Sequence, residues 1–449
     1  MKRSYESHNN NLSHNYKKTK SSSIDYHRMN SIYLCQHLKT VSNSDHNSLA
    51  AIAERAIDIM RGEPRYNFDA RGLATIINMF SKKNYILSNS FYNNWEDIAL
   101  KLINKFNSQE LAMSIHAFGK LGIAPSDEFI KTWEKQAINF IDQFNSQDLA
   151  NSISAFSILG IAPSAEFIKA WEYKAISEIF HFNPQELANS IYAFGKLGTT
   201  PSELFKKIWQ GTVIDKIDKF DSQALVNTIH ALNIMQIKIS IPLKEALNKL
   251  ALNNLCKEEV HQIWIAEQIE RYFFRDRLLN EENYRIIEEK VELYKYDKPT
   301  ISVLQKDIFN HISANKNIIY QTIEEESWIK EIAAPVDILI TTMTGKKIIV
   351  QVDGPSHFIG NDHQYNSSTK FNTKILEKLG YMVIRIAYFE IHNGDFMSLE
   401  PLEHIEKLQH FEQLEGKLDK TGFDENFEHK DSLNLHLSGV TDFETAPLT

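Results

Sequence analysis

Four residues in the C-terminal third carry side chains suited to metal or acid-base chemistry: Asp337, Gln351, Asp353 and His357, within APVDILITTMTGKKIIVQVDGPSHF. Carboxylates on neighbouring strands can hold a hard divalent cation such as Mg2+, which activates water and shields a scissile phosphate. In that reading Asp337 and Asp353 are the metal ligands, Gln351 is a weak ligand or positions water, and His357 gives or takes a proton. The same residues have a structural reading. Asp-Gly-Pro after an apolar strand reverses the chain, and Asp337 then does no more than hydrogen-bond a loop.

The elements that must position them follow from the β-branched and aliphatic residues on both sides of Gly345. Residues 336–341 and 347–353 read as two strands joined by a short turn. A turn centred near 343–344 sets Asp337 opposite Val350 or Gln351. Gln351 and Asp353 then leave one face of the second strand roughly 7 Å apart, with His357 just past the Gly354-Pro355 break. Around this pair the pattern predicts a helix over 301–314, a strand over 318–323, a helix over 367–379 ended by Gly380, and a buried strand over 381–387. Arg385, Tyr388 and Glu390 can share a sheet edge with Asp353, where a paired structural charge is the simpler role for Arg385.

The segments VDILI, IIVQVDGPSHF and, after a helix, LGYMVIRIAYFEI resemble a RAP domain, a module of RNA-processing proteins. The resemblance spans roughly 298–411 and implies an α/β domain related to restriction-endonuclease-like folds. This chain departs from the pattern at two positions. Gln351 stands where RAP domains usually carry glutamate, and Asp353 where active enzymes of the wider nuclease fold place lysine. An amide ligates a metal less well than a carboxylate, so the resemblance favours RNA binding over cleavage.

Upstream the chain repeats itself over 65–239. NSQELAMSIHAFGKLG, NSQDLANSISAFSILG, NPQELANSIYAFGKLG and DSQALVNTIHALNIMQ begin at Asn107, Asn145, Asn183 and Asp221, a constant interval of 38 residues that Trp95, Trp133, Trp171 and Trp209 also keep. A degenerate first copy starts at Phe68. Leu111, Ala112, Ile115, Phe118 and Leu121 fall at helical spacing, and Phe129, Trp133, Ala137, Phe140 and Ile141 do so again after a Gly-Pro break. Each unit is therefore a helix, a turn and a helix, with Asn or Ser opening the helices. One pair cannot bury its aromatic rows, so the pairs must stack into an α-solenoid. The interval, the LANSIxAFxxLG helix and the order of the domains resemble octotricopeptide repeats, which implies an array that reads single-stranded RNA.

Residues that read bases must be exposed on one face of the first helices and must vary between repeats. Thr75, Met113, Asn151, Asn189 and Asn227 form one such row; Asn78, His116, Ser154, Tyr192 and His230, three residues on, form a second. The alternatives are an inter-repeat asparagine ladder and a plain surface.

Composition sets further bounds. The net charge is −9, so no global basic field marks a nucleic-acid partner. Cys35 and Cys256 stand in unrelated segments, which excludes a cysteine framework and suits a reducing compartment. No apolar run is long enough to span a bilayer, so no membrane partner is expected. Residues 1–48 read as a disordered basic arm, 240–297 as capping helices and a hinge, and 412–449 as an acidic disordered tail. The arm favours Lys over Arg and contains Glu6 and Asp25, which points to a cytoplasmic bacterial or intracellular protein rather than an organellar one. Three functions follow as expectations: an RNA-binding protein of RNA processing, a Mg2+-dependent endoribonuclease, and a scaffold for protein partners. No other cofactor is indicated.

Overall fold

The computed structural model describes residues 24–62, 68–296, 301–316, 318–359 and 364–390. Pairs of helices run from the first of these segments: α1 (Ser31–Thr40) and α2 (His46–Arg61), α3 (Ala70–Lys82) and α4 (Asn89–Leu102), α5 (Ser108–Leu121) and α6 (Asp127–Phe140), α7 (Ser146–Leu159) and α8 (Ala165–Glu178), α9 (Pro184–Leu197) and α10 (Glu203–Lys216), and α11 (Ser222–Ile234) with the shorter α12 (Ile241–Asn248). Two longer helices follow, α13 (Lys257–Phe273) and α14 (Glu281–Tyr294).

Local chemistry sets each unit. Asn107, Asn145 and Asn183 cap α5, α7 and α9, each in a reciprocal capping box with the acidic residue three positions on. The turn after each of these helices needs a left-handed residue, which Gly122, Gly160 and Gly198 supply at φ 67°, 66° and 69°. The indole N–H groups of Trp95, Trp133, Trp171 and Trp209 donate to the carbonyls of Leu73, Leu111, Leu149 and Leu187 at 2.9 to 3.1 Å. A bulky apolar ring is thereby buried without stranding its donor. Neighbouring units are also tied through their outer helices, where Glu134 accepts from the backbone N–H of Ser164 and Glu172 from that of Ser202.

The first helices of successive pairs lie side by side as one layer, from α1 through α11 and on to α13, with the second helices behind. The approach within this layer is close. A Cβ on Gly119 would meet the Cα of Ala155 at 2.8 Å, so α5 and α7 pack backbone against backbone.

The folded body begins earlier than the sequence suggests. Residues 31–48, assigned to a disordered arm, contain α1, whose Leu34, Cys35 and Leu38 are buried. Its three apolar residues gain a core only from α2 and α3, which a local reading of composition does not register. Residues 1–23, the second half of the hinge expected at 294–299 and the expected tail lie outside the described residues.

The C-terminal unit opens with α15 (Val303–Ala314) and continues through β1 (Thr322–Ile329), β2 (Ala334–Thr341), β3 (Lys347–Asp353), the short pair β4 (Phe358–Ile359) and β5 (Gln364–Tyr365), α16 (Ser367–Lys378) and β6 (Met382–Ala387). β1, β2 and β3 are antiparallel, and β6 runs parallel to β3. A parallel neighbour requires a crossover, which α16 provides. The first strand lies later than the expected 318–323, because Ile318 turns into the α15 side of the core instead of joining the ladder.

Alternation assigns the two faces. Ile338, Ile340, Ile348, Val350 and Ile386 pack on α15, whereas Leu339 and Ile349 pack on Phe371, Ile375 and Leu376 of α16 together with Ile265 and Ile269 of α13. Thus α13 closes the helical layer and covers the sheet at once. His261 bonds the carbonyl of Ile332 at 3.1 Å, and Trp264 donates to that of Lys330 at 2.7 Å. The two units share a core.

Candidate nucleic-acid interface

The outward face of each first helix is a stripe at i, i+4, i+7 and i+11: Gln109, Met113, His116 and Lys120 on α5; Gln147, Asn151, Ser154 and Ile158 on α7; Gln185, Asn189, Tyr192 and Lys196 on α9; and Gln223, Asn227, His230 and Ile234 on α11. On α3 the equivalent residues are Arg71, Thr75, Asn78 and Lys82. The structure therefore brings the two expected rows together on one layer, with Arg71 and four glutamines along one side and, along the other, Lys82, Lys120 and Lys196 interrupted by Ile158 and Ile234. Tyr192 and His230, from neighbouring repeats, have ring centres 6.2 Å apart.

These residues differ in availability. Asn78 is buried, which removes it from the second row. Met113, His116, Asn151, Ser154, Asn189, Tyr192, Asn227 and His230 are half-buried, and Met113 and Tyr192 also pack against the helical core. No hydrogen bond joins the side-chain amides of Asn151, Asn189 and Asn227 to another described residue, so there is no inter-repeat ladder there. A carboxamide left this way keeps two donors and an acceptor for an incoming group. Burial lowers the pKa of His116, with Lys120 and Lys82 adding to the effect, and burial brings that of His230 down to about 4. Both rings are neutral at pH 7, each with one donor and one acceptor nitrogen.

Charge is also sorted. None of the five stripes contains an aspartate or glutamate, and Arg71, Lys82, Lys120 and Lys196 lie on them. The acids of the first helices, Glu110, Asp148 and Glu186, are turned back into their capping boxes. Over residues 65–239 Lys and Arg balance Asp and Glu, and that balance conceals five stripes that together hold cations and no anions. These lysines and the glutamine row were missed in the sequence; the 38-residue recurrence of Gln109, Gln147, Gln185 and Gln223 was the available signal.

The second candidate cluster lies at the C-terminal end of β3. Asp337 precedes Ile338, the partner of Val350, and so stands opposite Gln351; its Oδ2 accepts the backbone N–H of Val352 at 2.6 Å. Burial, offset by that bond and reinforced by Glu326 and Asp353, raises its pKa to about 6. Glu326, on the neighbouring strand, has φ +54°, a left-handed conformation unusual within a ladder.

Asp353 has a different environment from the one a metal ligand needs. It is 1 % exposed, and both carboxylate oxygens accept from the Arg385 guanidinium, Nε to Oδ2 at 2.7 Å and Nη2 to Oδ1. Arg385 Nη1 also donates to Thr373 Oγ1 at 3.0 Å. His357 Nδ1 lies 3.2 Å from Asp353 Oδ1 and 3.2 Å from Thr369 Oγ1, and burial lowers its pKa. A Mg2+ ion does not fit this donor set, because a bidentate guanidinium already takes the oxygens it would use. Among the described residues no group of three or more His, Cys, Asp or Glu is arranged to hold a metal. The assignment of Asp353 as a metal ligand is accordingly revised to a buried ion pair. Gln351 is half-buried beside it, and no hydrogen bond of its side chain to the described residues accompanies a catalytic placement.

Beyond the pair, Phe358 stacks on Tyr365 at 4.7 Å and meets Phe389 at 5.1 Å and Tyr388 at 5.9 Å, while the Arg385 guanidinium lies 5.5 Å from the Tyr365 ring centre. Glu390 accepts the N–H of Ala387 and so fixes the turn that carries Tyr388 and Phe389.

Helical pairs over the first two thirds and this small mixed sheet define a helical-repeat protein with a C-terminal RAP domain; the RAP domain family matches residues 350–407, which include Gln351, Asp353 and His357 but not Asp337. The RNA-editing substrate-binding complex 6 protein family matches residues 28–271, more than half of the chain, and the chain belongs to that family. The match starts just before α1 and ends within α13, the bounds of the first-helix layer. No curated protein matches the chain. No described helix is long and apolar enough to cross a membrane.

Proposed function

We propose that the protein binds single-stranded RNA along the first-helix layer and acts in RNA processing as a binding component, with the RAP domain holding one end of the bound strand. The observation that carries this reading is the acid-free face on which unpaired asparagines, histidines and a tyrosine are flanked by lysines. Unstacked bases are read by amide, imidazole and aromatic groups, while cations at the border meet phosphates. The variation of the rows between repeats suits selection of a sequence, as in octotricopeptide arrays. Family membership and the RAP match support an RNA role in processing. In this reading the Asp353–Arg385 pair is structural, and any strand cleavage belongs to another protein.

The test is binding of the purified full chain to a random pool of single-stranded RNA and to the matching DNA across a salt series, with and without Mg2+, followed by gel analysis of the strands. Salt-sensitive binding that prefers RNA and leaves it intact is expected. Mg2+-dependent shortening lost in Asp337→Ala would replace this reading with the endonuclease, and absence of binding to either nucleic acid would replace it with the protein scaffold.

A further inference from the structure

Where the first-helix layer meets the RAP domain there is a cavity of about 460 Å³, within the range of small-ligand sites. Its walls come from three helices: His230 on α11, His261, Gln262 and Ile265 on α13, and Phe371 and Asn372 on α16. Ile265 and Phe371 are buried and make an apolar floor. The polar groups above that floor have specific, unfilled capacity. Gln262 and Asn372 are half-buried and make no hydrogen bond to any described residue. His230 Nδ1 is buried with no hydrogen-bond partner among the described residues. His261 is held neutral by burial, and its Nε2 faces a carbonyl, which can only accept; that nitrogen must therefore carry the proton, leaving Nδ1 as an acceptor. The cavity presents both amide donors and imidazole or amide acceptors over an apolar base, with Lys257 and Glu258 also in its lining.

Its position gives the occupant. His230 and Ile234 belong both to the stripe of α11 and to this cavity, so a strand following the stripes arrives at it. From this juxtaposition we infer that the junction cavity seats one unstacked nucleotide of the bound RNA, its base edge read by Gln262 and Asn372. The site rests on the RNA-binding reading above and adds to it a fixed end point, built jointly by the repeats and the RAP domain. An unpaired buried polar group is costly, and a base that satisfies these groups removes the cost.

The test uses the full chain, a fluorescent 20-nucleotide random single-stranded RNA pool, and two variants: Gln262→Ala with Asn372→Ala, which removes the reading groups, and Gln262→Trp, which fills the space. Neither variant breaks a hydrogen bond among the described residues, and thermal melts verify that each stays folded. The expected result is an affinity loss of about tenfold for both, with the slope of log affinity against log salt unchanged, because base contacts rather than phosphate contacts are lost. Wild-type binding matched within twofold by both variants overturns the nucleotide site and leaves RNA binding in place. No binding by the wild type overturns the RNA reading and this site with it.

Discussion

The first-helix layer and the end of β3 both gather polar side chains, yet they treat them in opposite ways. At β3 the charged groups are satisfied internally, Asp353 by Arg385, Arg385 also by Thr373 and Asp337 by the N–H of Val352, and the amide of Gln351 is the exception. Along the helices Asn151, Asn189 and Asn227 make no side-chain hydrogen bond to the described residues at half-burial, on stripes that carry no acid. Polar groups already paired lock a fold, whereas groups left unpaired at a surface are available to a partner. The cluster that looked chemical is thus the internally paired one, and the repeated surface is the one on which the proposed RNA binding rests.

This contrast can be broken most strongly at the ion pair. Arg385→Ala leaves the Asp353 carboxylate buried without its counter-charge and is expected to cost about 3–5 kcal/mol of stability, read as a large fall in the denaturant midpoint. Retained stability would show that the pair is not what holds the sheet to α16. Next in size is the combined change Lys82→Ala, Lys120→Ala and Lys196→Ala. Removing three phosphate contacts should lower the salt slope of RNA binding by about 2 while leaving the melting temperature close to wild type. An unchanged slope would place the phosphates elsewhere.

A smaller effect is expected from pH. The pKa of Asp337 is raised in the fold to about 6 from an ordinary 3.8, so the folded state binds this proton more tightly than the unfolded chain. The contribution to stability is present in full below about pH 4 and is lost as pH rises through 6. Asp337→Asn, which can still accept from Val352, should therefore be the more stable protein by about 3 kcal/mol at pH 7.5 and little different at pH 4. Melts of the two proteins that remain parallel across this range would mean that Asp337 is not protonated more easily in the fold. The smallest change should come from Asn151→Ala, below about 0.5 kcal/mol in stability, with an altered RNA preference.

Much of this was legible in the sequence because it repeats. The period, the capping asparagines, the αL glycines and the buried tryptophans each recur, and recurrence separates a constraint from an accident. The β2–β3 register was also legible, since a short turn at Gly345 fixes which residues face each other, and Arg385 could be read as a paired charge because Asp353 lies on the adjacent strand. What was not legible depends on contacts distant in sequence. Leu34, Cys35 and Leu38 become core only against α2 and α3. Gln262 and Asn372, 110 residues apart in the chain, line one cavity only because α13 serves both units. The lysine row was hidden by a charge balance that the outer helices and capping boxes restore.

The central claim, that the first helices are the RNA surface, is tested most directly by photocrosslinking. The full chain would be irradiated with single-stranded RNA carrying 4-thiouridine at random positions, and the linked peptides mapped. The account predicts crosslinks in α5, α7, α9 and α11, at residues such as His116, Asn151, Tyr192 and His230. Crosslinks confined to the outer helices α6, α8 and α10, or to β1 and α15, would contradict it.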